Sequence, residues 1–386
     1  ENIYGYYNEM LLGLQRNVHL DTGELLDIDK RFGAYNPMAH LTDDLYANKI
    51  AFMVALNFPQ LSLTEKEALG NDRKAWAQAR LGDVFSERIP AEVNQKVSEI
   101  LAAADIYISD YNIYMGNLET DRGERLFPAD MRLLCHWNLR DEIKANYAGG
   151  KKGHVKQRMI YEVMKRIVCQ TIPREVINSD LYVWNPVTNR VSQSGKVVET
   201  QPEGNRRYQY LLDIFHTEQL VDKYCGNTYI DRNFNNDMEI SVDRADSIFR
   251  RYLSAPEMKL IGRKIAKRLG RRLEAFDIWY DGFKARSEIN EEELSRITRS
   301  KYPNNEAFKA DLPEILKKLG FSDARAQYIS DRIAVDPARG SGHAWGAEHR
   351  KQLSLLRTRI PADGMDYKGY NIAIHEFGHN VEQTIS

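Results

Sequence analysis

Asp366-Tyr367-Lys368-Gly369-Tyr370-Asn371-Ile372-Ala373-Ile374-His375-Glu376-Phe377-Gly378-His379-Asn380-Val381-Glu382-Gln383-Thr384 decides how the rest of this chain is read. Tyr370, Ile374, Phe377, Val381 and Ile385 recur at spacings of three and four, the period of an amphipathic helix. Asp366 is a suitable N-cap, because its carboxylate can accept from the unpaired N–H groups of the first turn. The apolar stripe predicts one buried face, with Asn371, His375, Gly378, His379 and Glu382 on another. Gly378 lowers helix stability by up to about 1 kcal/mol relative to alanine. A packing reason is therefore expected, such as close approach of another backbone.

Within this helix lies H-E-x-x-H. His375 and His379, four residues apart, share one face. Two imidazoles at that spacing suit one zinc ion. Glu376 stands beside them, placed to take a proton from a water polarised by the metal. Two histidines on an ordinary surface helix are the plainer alternative; the glutamate and the amphipathic frame favour the metal reading.

His375-Glu376-Phe377-Gly378-His379 resembles the zinc helix of the gluzincin oligopeptidases, the thimet oligopeptidase and oligoendopeptidase family. Metzincins are excluded, since their longer motif needs Gly at 382 and His at 385, where this chain has Glu382 and Ile385. The resemblance implies a zinc metallopeptidase acting on oligopeptides, with His375 and His379 as ligands and Glu376 as general base. It also implies a third ligand, a glutamate on a later helix, and a downstream tyrosine and histidine that hold the tetrahedral intermediate. Only residues 380–386 follow His379, and Glu382 points poorly toward a metal shared by both histidines. The expectation is an N-terminal part of a longer enzyme, whose remaining C-terminal part completes the site.

Composition sets the outer bounds. With 386 residues the chain is long enough for more than one domain, and 42% hydrophobic with 28% charged residues is ordinary for a globular protein. A net charge of -1 gives no argument for a nucleic-acid partner or an acidic membrane surface. Cys135, Cys169 and Cys225 form no disulfide framework and no C-x-x-C pair, so packed, reduced thiols are expected. The longest apolar run, residues 50–56, is far short of the roughly 20 needed to span a bilayer. Glu1 rather than Met stands first, which a cleaved secretion signal would produce, as would simple trimming. Cytoplasmic and exported locations both stay open.

The rest of the chain reads as a helical series. Thr42-Asp43-Asp44 starts a helix continuing over 45–56, which Asn57-Phe58-Pro59 stops. Ser62-Leu63-Thr64-Glu65 has the form of a capping box. Further helices are predicted over 75–85, from Pro90 onward, over 130–147, and over 155–169 after the loop at Gly149-Gly150. Residues 181–208 change character: Tyr182-Val183-Trp184 and Arg190-Val191-Ser192 flank a turn-rich loop and predict a β-hairpin. Helices follow over 208–224, 243–253 and 256–273. The last carries seven Lys and Arg with an apolar stripe of Ile261, Ile265, Leu269 and Leu273. A nucleic-acid patch is the alternative there; a solvated charged face on a core helix is the stronger reading. Phe276-Asp277-Ile278-Trp279-Tyr280 resembles the aromatic segment that oligopeptidases carry before their catalytic region. Residues 291–300, 305–319 and 322–333 complete the series.

Nearer the motif, Gly340-Ser341-Gly342-His343-Ala344-Trp345-Gly346-Ala347 is glycine-rich but lacks the βαβ context of a dinucleotide fingerprint. It resembles the Gly-Ala segment whose backbone lies along the substrate in gluzincin oligopeptidases; a plain loop is the equal alternative. His343 is a candidate accessory group or a solvated loop residue. Residues 353–360 are β-prone, with Leu353, Leu355, Arg357 and Arg359 on one face, and stand where the family's substrate-binding edge strand precedes the zinc helix.

These readings predict a mainly α, multi-helix, oligopeptidase-like architecture with a small β element next to the zinc helix. The expected regions are 1–180, helical; 181–335, helical with an inserted hairpin; and 336–386, the start of the zinc-binding region. The expected cofactor is Zn2+ and the expected partner a peptide substrate, with no nucleic acid and no membrane span. A non-catalytic peptide-binding or scaffolding module with a degenerate motif is the alternative from another class, and a zinc hydrolase that is not a protease is a third.

Overall fold

In the computed structural model residues 2–58, 60–85, 87–135, 137–282, 291–340, 342–349 and 351–385 are described. Pro59 and Ser341, both read above as loop positions, lie outside them. The chain is mainly α-helical, with 61% helix and 10% strand in small sheets. No helix among the described residues is long and apolar enough to cross a membrane. Two compact units form, one from Glu1–Ala34, Ala102–Gly204 and Asp281–Ser386, the other from Tyr35–Leu101 and Asn205–Tyr280. Both are discontinuous in sequence, and positions 180 and 335 fall inside the first.

In the second unit local signals start several helices, the expected Ser62 box among them. Ser62 Oγ accepts from the Glu65 N–H while the Glu65 carboxylate accepts from the Ser62 N–H at 2.8 Å, a complete capping box. Asp72 caps Arg73–Asp83 by accepting from the N–H groups of Lys74 and Ala75, both at 3.0 Å. The single helix expected over 45–56 is instead two, Leu41–Ala47 and Ile50–Asn57, parted where Lys49 adopts φ 62°. Later come α1 (Val242–Leu253), capped by Ser241, and α2 (Glu257–Leu269). The stripe on α2 is not core: neither α1 nor α2 has a buried residue, Ile261 and Leu273 are exposed, and Ile265 and Leu269 are half-buried. The segment expected to be a core helix with one charged face is thus a surface helix. Phe276 and Asp277, both buried, also belong to this second unit.

In the first unit, β1 (Asn112–Tyr114) pairs antiparallel with β2 (Arg132–Leu134), bringing buried Ile113 opposite buried Leu133. The helix predicted over 130–147 is thus shortened to Asn138–Ala145, because Leu133 and Leu134 are drawn into a ladder instead. The predicted hairpin is a three-stranded meander: β3 (Val183–Asn185), β4 (Arg190–Gln193) and β5 (Lys196–Val198). Ser194 and Gly195, at φ 50° and 78°, make the two-residue turn that adds the third strand. Cys135 is buried, Cys225 is half-buried and Cys169 is exposed, and none of the three is in a disulfide among the described residues.

The core beneath the motif is built by α3 (Asn305–Lys318), α4 (Asp323–Ser330), β6 (Ile333–Pro337), β7 (His343–Trp345), β8 (Ser354–Thr358) and α5 (Tyr367–Ile385). Phe308, Leu312 and Leu316 of α3 lie on one stripe and are fully buried with Ile329, Ile333, Leu356, Ala373 and Phe377. The helix expected over 322–333 stops at Ser330, and Ile333 instead opens β6. The sheet order is β6-β8-β7, with β6 parallel and β7 antiparallel to β8. The strand at 353–360, expected at the edge, is therefore central. Among the described residues the edge next to the motif is β7, from the glycine-rich segment.

Candidate metal centre

Helix α5 is seated on β8 by polar contacts at both ends. Asp366 Oδ1 accepts from the Gly369 N–H at 2.7 Å, the N-cap the sequence predicts. A Cβ on Gly369 would clash with the Arg359 carbonyl, and Thr358 Oγ1 donates to the Gly369 carbonyl at 2.8 Å. Near the other end fully buried Asn380 donates through Nδ2 to Ser354 Oγ at 2.6 Å and the Leu355 carbonyl at 3.2 Å. Ala373, Phe377 and Asn380 form the inward face; Tyr370, Ile374 and Val381 pack partly buried against the core, and Ile385 is exposed.

With the inward face fixed, His375 and His379 fall on the exposed side, and their ring centroids lie 5.0 Å apart at 83°. Two ring nitrogens at roughly 2.0–2.1 Å from one tetrahedral metal place their centroids about 5 Å apart, the separation seen here. It supplies two donors. Glu382, next along that face, does not complete a set, and the described residues contain no group of three or more His, Cys, Asp or Glu able to hold a metal. Gly378 has open space where a Cβ would go, so the close approach expected there is absent. Around α5 the tight glycines are Gly369 and Gly342 instead.

Glu376 is half-buried at the seam between α5 and β7. Burial raises its carboxyl pKa; the two neighbouring imidazoles and the Ala344 N–H that it accepts oppose that rise. Gly342 permits the seam: a Cβ there would clash with Ile372 Cγ2, stand 2.7 Å from the Arg357 carbonyl and lie 3.4 Å from Glu376 Cγ.

The two faces of the sheet differ. Register places Ala344, Leu356, Ser354 and Thr358 toward α5, and His343, Trp345 and Arg357 on the opposite face. There the rings of His343 and Trp345 lie 5.3 and 5.1 Å from that of His19. Arg357, 3% exposed, donates through Nη1 to His19 Nδ1 at 2.9 Å. A guanidinium has no acceptor, so His19 carries its proton on Nε2. Burial, then His343 and Arg357, lower the His19 pKa from 6.5 to about 3. A cavity of about 310 Å3 opens on this face, lined by His19, Asp105, Leu134, Trp137, His343 and Trp345 among others. His343 is thus a half-buried wall of a cavity, not a solvated loop group. His19 and Asn380 escaped the sequence reading; Asn380 carried a signal, being a polar residue at the i+7 position from Ala373 on the buried stripe.

Comparison with protein-family models, curated proteins and solved structures finds no match.

Proposed function

We propose that the chain carries the metal-binding pair and general base of a zinc-dependent peptidase acting on extended peptides. One observation carries this reading: the rings of His375 and His379 stand 5.0 Å apart, edge to face, on the exposed side of α5, with the Glu376 carboxylate held beside them by the Ala344 N–H. His375 and His379 would hold the ion. Zinc, when bound, supplies Lewis-acid polarisation of the scissile carbonyl and of a water. Glu376, made more basic by burial, takes the proton from the attacking water and returns it to the leaving amine. The Ala344 hydrogen bond orients that carboxylate. Edge strand β7 suits a peptide backbone that adds as a further strand, and the cavity behind His343 and Trp345 offers room for a side chain.

The test is cleavage of a quenched fluorescent peptide, with and without chelator. With zinc in excess, Glu376→Gln is expected to leave zinc affinity unchanged and lose about 10²- to 10⁴-fold in turnover. Turnover that survives both the substitution and chelation refutes the reading, and no cleavage by the wild type with zinc in excess refutes it in favour of a peptide-binding module.

A further inference from the structure

The whole-chain charge of -1 hides a strong local asymmetry. Residues 242–272 contain ten Lys and Arg against three Asp and Glu, a net of +7. On α1 the apolar positions Val242, Ala245, Ile248, Phe249, Tyr252 and Leu253 fall within one arc, and all its charged residues fall on the remainder. Among the described residues nothing buries that arc: Phe249, Tyr252 and Leu253 are 62%, 62% and 65% exposed. Ser254-Ala255-Pro256 leads into α2, where Lys259, Arg263 and Lys267 recur every four residues and are exposed.

We infer that α1 and α2 form a docking element for an anionic phospholipid surface. The apolar arc of α1 enters the headgroup–acyl boundary, and the cationic residues of both helices lie among the lipid phosphates. An interfacial helix has this signature: a large apolar arc with aromatic residues, a strongly charged opposite face and low overall hydrophobicity. The excess positive charge complements the surface potential of anionic lipid. A nucleic-acid backbone fits less well, because it offers no apolar medium for Phe249, Tyr252 and Leu253. The inference is independent of the peptidase reading, since it uses no residue of the metal centre.

The experiment is sedimentation of the full chain with vesicles of phosphatidylcholine alone or with about one-third phosphatidylserine. Binding is expected only to the anionic vesicles and should fall as salt screens the surface charge. Phe249→Ser combined with Leu253→Ser should weaken it by at least about tenfold without changing the circular dichroism, because both side chains are mostly exposed. Equal binding to neutral vesicles, no binding to anionic ones, or undiminished binding by the variant overturns the inference. So does a wild-type dimer that the variant dissolves, which would make this arc a contact between copies.

Discussion

His19 gives the sharpest test of the packing behind the edge strand. Its folded pKa of about 3 lies well below the 6.5 of a free imidazole. Between those values the unfolded chain binds a proton that the folded chain refuses, so stability is unaffected above 6.5 and falls as pH drops toward 3. From about pH 7.5 to about pH 4.5 the loss assignable to His19 is on the order of 3 kcal/mol. Carboxylates also titrate in that window, so the quantity to measure is a difference. Urea unfolding followed by tryptophan emission would be run at both pH values on the wild type and on His19→Gln, whose amide oxygen can still accept from Arg357. The wild type should lose about 3 kcal/mol more than the variant across the interval. The imidazole proton resonance of His19 should show no titration down to about pH 4. Parallel pH profiles, or a titration near 6.5, would refute the burial and the Arg357 contact on which the argument stands.

Gly342→Val should force β7 away from α5, since its Cβ would meet Ile372 and the Arg357 carbonyl; a cost of about 1–3 kcal/mol in thermal or urea unfolding is expected. Gly378→Ala should do the opposite, raising stability by up to about 1 kcal/mol, because the added methyl meets open space on an exposed helical position. Isothermal titration should find only weak zinc binding by the two-imidazole set, lost in His379→Ala; tight stoichiometric binding would reveal a further donor.

Much of α5 was legible because one element carried several agreeing signals: the Asp366 cap, the spacing of Tyr370, Ile374 and Phe377, and the paired histidines one turn apart. What the sequence hid was pairing across distance. Residues 353–360 announced a strand, but only the partners Ile333–Pro337 and His343–Trp345 decide that it is central. The stretch at 130–147 has helical character, yet Leu133 finds Ile113 across a ladder that no local pattern encodes. Gly378 and Gly342 look alike in sequence; the first faces open space and the second another chain segment. The apolar stripe of α2 has the right period for burial, but periodicity reports amphipathicity and cannot say what lies against the apolar side.

The anchoring of α5 has a consequence for how this scaffold tolerates change. Thr358 and Gly369 at one end, and Ser354 and Asn380 at the other, set the azimuth of the helix from below. The two imidazoles on the outer side contribute nothing to that setting. The fold of α5 and the placement of its outer rings are thus separable: a descendant that lost both rings would keep the same shape, and one that lost Asn380 would keep the rings but not the azimuth that aligns them.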